Sequence, residues 1–97
     1  MASFDLGISP QAAINALNLA FEMDKPVKMD YYEASINKAG AELHRFPSPD
    51  DPSVVLTVLY KDEETFTSPL QRMFAADNCY ICVTENSIYL VHGSINQ

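Results

Sequence analysis

CYICVTENSIYLVHG, residues 79 to 93, holds both cysteines of the chain, at 79 and 82, and one of its two histidines, at 92. Such a stretch reads either as a metal or redox site, or as two strands and a turn that contain sulfur. The residue types decide for strands. Tyr80, Ile81, Val83, Ile88, Tyr89 and Val91 are β-branched or aromatic, and Thr84-Glu85-Asn86-Ser87 interrupts them where a turn belongs. On a strand, side chains three positions apart point to opposite faces. Their Cα atoms stand ~10 Å apart at about 3.3 Å per residue, whereas a disulfide spans at most about 7 Å. A redox CxxC pair works from a helix start, where the helix N-terminus lowers the thiol pKa. Structural zinc needs four ligands, and the sequence offers no second Cys or His pair. The stretch is a terminal β-hairpin in which Cys82 or Cys79 packs inward as a small hydrophobe.

The rest of the chain fits a globular setting for that hairpin. Its 97 residues are expected to form one domain, 1–97. A chain of this size buries roughly 60–70% of its unfolded surface, enough for one core without staples. Two cysteines are too few for a disulfide framework and point to a reducing compartment. No apolar run approaches the ~20 residues of a membrane span, and the opening MASFDLGISP lacks the basic and apolar parts of a signal peptide. The expected location is therefore the cytoplasm, or the host-cell cytoplasm if the protein is viral.

Thirteen acidic residues face six basic ones, for a net charge of −7. Nucleic-acid affinity rests on Lys and Arg neutralising phosphates, and here the basic residues are scattered singly from Lys25 to Arg72. RNA is disfavoured as a partner. The acidity serves solubility first. It also suits an adaptor or inhibitor that binds a basic protein surface or mimics nucleic-acid charge.

Upstream, Ser9-Pro10 predicts a helix start. Ala13, Ile14, Leu17, Ala20 and Phe21 recur at helical spacing, so this stripe is expected to pack on a sheet, and Lys25-Pro26 ends the helix. In VKMDYYEASI, residues 27 to 36, alternation predicts a half-exposed strand, with NKAG (37–40) as a turn and AELHRF (41–46) as the returning strand. A rival reading takes Asp30 as a cap for a helix through Tyr32, Ile36, Ala39, Leu43 and Phe46; Gly40 argues against it. FPSPDDP (46–52) is a loop, and SVVLTVLY (53–60) is a strand expected to be buried on both faces. KDEE (61–64) turns the chain, TFT (65–67) forms a short strand, and SPLQRMFAA (68–76) allows a short helical turn. One helix before mostly strands makes the fold α+β.

No residue pattern advertises catalysis. The glycines are isolated, no GxSxG elbow presents a serine, and His44 and His92 lack ligand-like neighbours. Asp50-Asp51 has the chemistry for a hard cation, but paired loop acids are usually solvated. The expectation is a non-enzyme with no cofactor, no metal and no catalytic residue.

The order of elements, a helix, then DKPVKMDYY, then a terminal hairpin, resembles that of Sm and LSm proteins. VTENSI is similar to the motif of that family's last strand pair. Val83 matches its first apolar position, Asn86 and Ser87 its small polar positions, and Ile88 its final apolar one. Thr84 and Glu85 stand where the family has arginine and glycine, and the family's Asp…Met-Asn loop has no counterpart. The resemblance covers the two ends of the chain. It implies a strongly bent antiparallel sheet of about five strands, an Sm-like small barrel, and a ring of protomers joined through edge strands. It does not by itself imply RNA binding, since an acidic, motif-poor version can keep the architecture and lose or change its ligand, RNA or a protein partner. The compact size suits an Sm-like protein of phage origin. Thr84, Glu85, Asn86 and Ser87 become the candidate ligand or partner site. The strands at 27–36 and 87–93 are apolar enough to invite pairing as exposed edges. Tyr31, Tyr32, Tyr89 and Val91 then become candidates for a homo-oligomer interface, although the tyrosines serve equally well as caps on the core.

Overall fold

The computed structural model describes residues 8–36 and 40–97. Helix α1 (Pro10–Met23) begins where Ser9-Pro10 predicts: Ser9 is extended and its Oγ accepts the Ala12 amide at 3.2 Å. The helix stops at Asp24, which takes a left-handed φ of 54° and returns its N–H to the Ala20 carbonyl. There follow β1 (Val27–Lys28), α2 (Tyr32–Ser35), β2 (Glu42–Pro47), β3 (Val55–Asp62), β4 (Thr65–Phe66), β5 (Arg72–Ala76), β6 (Cys79–Val83) and β7 (Ile88–His92). The fold is α+β.

Strands β5, β6 and β7 form an antiparallel meander, with β1 added parallel to β7, giving the order β1-β7-β6-β5. A second antiparallel sheet has the order β2-β3-β4. The chain end ties the sheets together, because the Leu43 amide bonds the Asn96 carbonyl at 2.8 Å.

Alternation along β6 and β7 sends side chains into two apolar clusters. Cys79, Ile81, Val83, Ile88 and Leu90 meet Ala12 and Ala16 of α1 on one side. Cys82 and Val91 meet Leu43, Leu59 and Ile95 on the other. The central hairpin is thus covered by the helix on one face and by the second sheet on the other. Two polar ties lay α1 along β6. The Ser9 hydroxyl donates to the Asp77 carboxylate at 2.5 Å, and the Lys25 ammonium donates to the Thr84 carbonyl at 2.7 Å. Asp77 and Thr84 bracket β6, and a helix of ~21 Å matches a strand stretch of ~23 Å.

The sequence expectations need several corrections. Among the described residues, seven strands in two sheets stand where a single bent sheet of about five is expected, and they form no closed barrel. Only Val27–Lys28 of the 27–36 segment is strand. Tyr32–Ser35 is helical, as in the rival reading, although the cap position is Tyr31 and no side chain caps it. Tertiary contacts override alternation here: the Ser35 hydroxyl donates to the Tyr32 carbonyl at 2.5 Å and accepts the His92 amide at 2.8 Å. The segment 68–76 holds a strand, β5, instead of a helical turn, because it pairs with β6 throughout from Arg72 to Ala76. The 87–93 strand is no edge, since β7 lies between β1 and β6. The expected turn at 37–40 falls largely on residues 37–39, outside the described residues. The loop expected from Phe46 starts two residues later, since β2 runs on through Pro47 at an edge, where proline is tolerated.

At the end of β7 the chain comes very close to the β5–β6 turn. The Gly93 amide donates to the Asn78 carbonyl at 2.7 Å, and a Cβ on Gly93 would sit 2.9 Å from that same oxygen. Backbone cannot yield as a flexible side chain would. Gly93→Ala is expected to cost about 1–3 kcal/mol, read as a lower urea midpoint at unchanged m. An unshifted midpoint would show that the turn gives way freely.

Candidate functional site

The turn at 84–87 is knit from its own polar groups. The Thr84 amide donates to the Ser87 carbonyl at 2.9 Å. The Thr84 hydroxyl accepts the Ser87 amide and donates to the Ser87 carbonyl, each at 3.1 Å. Thr84 and Ser87 are buried, and Lys25 holds the Thr84 carbonyl. Only Glu85 and Asn86 of this four-residue candidate site face solvent.

The four residues considered for an oligomer interface lie mostly inside the protomer. Tyr31, Tyr32 and Val91 are buried, and Tyr89 is half-buried with its ring edge-on to Tyr31 at 5.4 Å. Tyr31 and Tyr32, adjacent in sequence, enter opposite clusters. Burial raises the Tyr31 phenol, with Tyr89, Asp30 and Asp62 adding to it. Burial also raises Tyr32, whose hydroxyl lies 3.9 Å from the Cys79 sulfur.

Both cysteines are free and buried, on opposite faces of β6 as alternation requires. Burial pushes the Cys82 thiol up to about 12. A thiol so placed is neutral at physiological pH and a poor nucleophile. His92 Nδ1 lies 2.7 Å from the Ser94 hydroxyl and 3.0 Å from the Ser94 amide nitrogen. The Ser94 hydroxyl in turn donates to the Ser35 carbonyl at 3.0 Å. This chain of bonds clasps α2 to the end of β7. In the 48–54 loop, Asp51 accepts the Ser53 hydroxyl at 2.7 Å, and this bond lowers its carboxyl pKa. The described residues contain no group of three His, Cys, Asp or Glu side chains able to hold a metal. None of their helices is long and apolar enough to cross a membrane.

Two outward surfaces stand out against this closed interior. The first is on α1. Its inner face is Ala12 and Ala16, with Leu19, Ala20 and Met23 partly buried beside them. The stripe expected to pack inward is largely rotated outward: Ile14 is 51%, Leu17 61% and Phe21 90% exposed. Small alanines let the helix sit close on β6, and its polar ties at Ser9 and Lys25 hold that rotation. The signal was present in the sequence, since Ala12, Ala16, Leu19 and Met23 make a second apolar stripe at helical spacing.

The second surface is the outer face of the three-stranded sheet. Alternation puts Leu43 and Leu59 inward and His44, Phe46, Val58 and Tyr60 outward. With Phe66 and Pro69 these line a groove of about 510 Å³. The rings form a row across three strands: His44 to Tyr60 at 4.7 Å, and Tyr60 stacked on Phe66 at 6.4 Å. Val58 is the buried floor, and Phe66 is 56% exposed. The expected burial of 53–60 on both faces holds only for Val58 and Leu59, because nothing described covers the aromatic side.

These features define a small α+β protein in which, among the described residues, no buried side-chain nitrogen or oxygen lacks a hydrogen-bond partner and two apolar surfaces face outward. Comparison with family models, curated proteins and solved structures returns no match. Its role is therefore read from its own surfaces.

Proposed function

We propose that this protein is a small non-catalytic module that associates with further copies of itself through the exposed face of α1. The observation that carries this reading is the stripe Ile14, Leu17 and Phe21, with Phe21 90% exposed. Large contiguous apolar patches on soluble proteins mark interaction sites.

A second copy is the occupant for reasons of shape and charge. Residues spaced i, i+3, i+7 form a narrow seam that complements itself. Two helices crossing antiparallel about Leu17 would set Ile14 of one copy against Phe21 of the other. Copies each carrying −7 repel unless they meet where charge is lacking. From Pro10 to Phe21 the helix has no charged side chain at all. Two such faces can bury on the order of 1,000 Å², the low end for specific interfaces, so the contact is reversible.

The Sm-like ring is the finer form of this reading. It would pair edge strands, and the edges available are β1 and β5 in one sheet and β2 and β4 in the other. The resemblance at VTENSI supports a ring; the uncharged helix face supports a dimer. RNA remains the less favoured ligand for either, given the net charge.

Light scattering after gel filtration separates these outcomes. A helix-mediated dimer has twice the chain's 10.8 kDa at high concentration and dissociates on dilution. A ring has a larger mass that persists on dilution. A constant 10.8 kDa up to several hundred micromolar, on the order of the weakest specific contacts, would overturn self-association in both forms.

A further inference from the structure

We propose that the aromatic groove on the outer face of the three-stranded sheet is a binding site for an extended, arginine- or lysine-bearing segment of a partner protein. The groove is independent of α1, and the proposal goes beyond self-association. Its volume of about 510 Å³ falls in the range of binding clefts, and its lining is mainly aromatic and apolar.

Charge selects the occupant. Positions of β2 and β3 alternate in sign as well as direction. The outward set runs Glu42, His44, Phe46 on β2 and Val58, Tyr60 on β3, and carries no Lys or Arg. Among the described residues, Lys61 sits over the Tyr31 ring at 5.2 Å, and Arg45 lines a separate depression with Thr57 and Arg72. At the end of the groove where Glu42 pairs with Tyr60, the last residue of β3 and the turn to β4 add exposed Asp62, Glu63 and Glu64. At the other end, the loop after β2 adds exposed Asp50 and Asp51. Among the described residues, the Glu42 carboxylate meets His44 Nδ1 at 3.2 Å.

An aromatic floor between two acidic ends repels nucleic acid and attracts cations. A guanidinium or ammonium over Tyr60 or Phe66 gains from the ring face, and it meets carboxylates at either end. An extended segment turns every second side chain to the same face, so alternate cationic side chains face the rings and the carboxylates at the two ends while the residues between them point away.

The test titrates the full chain, labelled with ¹⁵N, with the peptide acetyl-Arg-Val-Arg-Val-Arg-Val-amide and with its glutamate counterpart. The arginine peptide is expected to shift amides of β2, β3 and β4 saturably, with a Kd on the order of 100 µM at low salt. Affinity should fall roughly tenfold between about 50 and 500 mM salt, as exposed charge pairing is screened. Phe66→Ala should weaken binding about tenfold or more with an unchanged melting midpoint, since Phe66 is 56% exposed. Glu63→Gln with Glu64→Gln should remove much of the salt dependence. Repeating the titration on Leu17→Glu protein separates this site from the α1 contact. No saturable shift up to about 5 mM peptide, far above any specific site of this kind, would overturn the proposal. So would equal binding of the glutamate peptide, no effect of Phe66→Ala, or displacement of the peptide by single-stranded oligo(U).

Discussion

Leu17→Glu is expected to leave the protein folded and monomeric at concentrations where the unaltered chain is dimeric. Leu17 is 61% exposed, so a carboxylate there stays in water within the protomer, and its stability should change by less than about 0.5 kcal/mol. In the dimer the same position lies at the crossing point of two helices. Two carboxylates would then face each other across an apolar seam, unpaired and desolvated. The dimer Kd should rise at least about a hundredfold, because each buried unpaired charge costs several kcal/mol. Phe21→Ser should act in the same direction by removing the most exposed apolar side chain, at 90%. Ala16 offers the contrasting control. It is 1% exposed against β6, and Ala16→Glu should unfold the protomer instead of dissociating it. If the stripe were covered within the protomer, Leu17→Glu would lower the melting midpoint and leave a monomeric mass unchanged. That outcome would refute the dimer.

Raising the pH from 8 to 12 is expected to weaken the fold by several kcal/mol. Burial lifts the Cys82 thiol from 9.0 to about 12. In the unfolded chain the same thiol ionises near its ordinary value, so between those limits the unfolded state holds fewer protons. Stability is therefore whole below about pH 9 and is lost as pH rises towards 12. The loss from this group alone approaches about 4 kcal/mol at the upper limit. Tyr32 and Tyr31 are raised from 10.0 in the same sense, mainly by burial, and steepen the decline above pH 10. Urea midpoints measured at intervals from pH 7 to 11 should be level at first and then fall. A level profile throughout would mean that Cys82 is reached by water. Thiol titration checks the same burial: an aromatic disulfide reagent near neutral pH should find neither cysteine in the native protein and both in denaturant.

Local chemistry in the sequence was enough for several elements. Ser9-Pro10 placed the start of α1 to the residue, because a cap and a first-turn proline act on their own backbone. The terminal hairpin was equally legible, since alternation on both sides of Thr84-Glu85-Asn86-Ser87 permits little else. The separation of Cys79 from Cys82 followed from strand geometry alone. By contrast, Tyr31 and Tyr32 alternate like strand residues yet open a helical turn, held by Ser35 bonds to Tyr32 and His92. The strand β5 was hidden because Ser68-Pro69 imitates the capping pair at Ser9-Pro10. Only pairing with β6 makes the difference, and that partner lies beyond a tight turn at Asp77 and Asn78 whose φ of 53° at Asp77 no propensity announces.

What the sequence determined by itself was the α+β class, the helix start, the terminal hairpin and the incapacity of the two cysteines to act together. Each depends on residues within a few positions of one another. What only the tertiary structure decided was which faces are covered. Alpha-helix α1 carries two apolar stripes, and the closer approach allowed by Ala12 and Ala16, with ties to Asp77 and Thr84, buries one and leaves Phe21 in water. The run 53–60 is apolar on both sides, but a covering layer meets only the side of Leu59. Burial is a property of what lies opposite, and the opposite surface is supplied by residues distant in the chain.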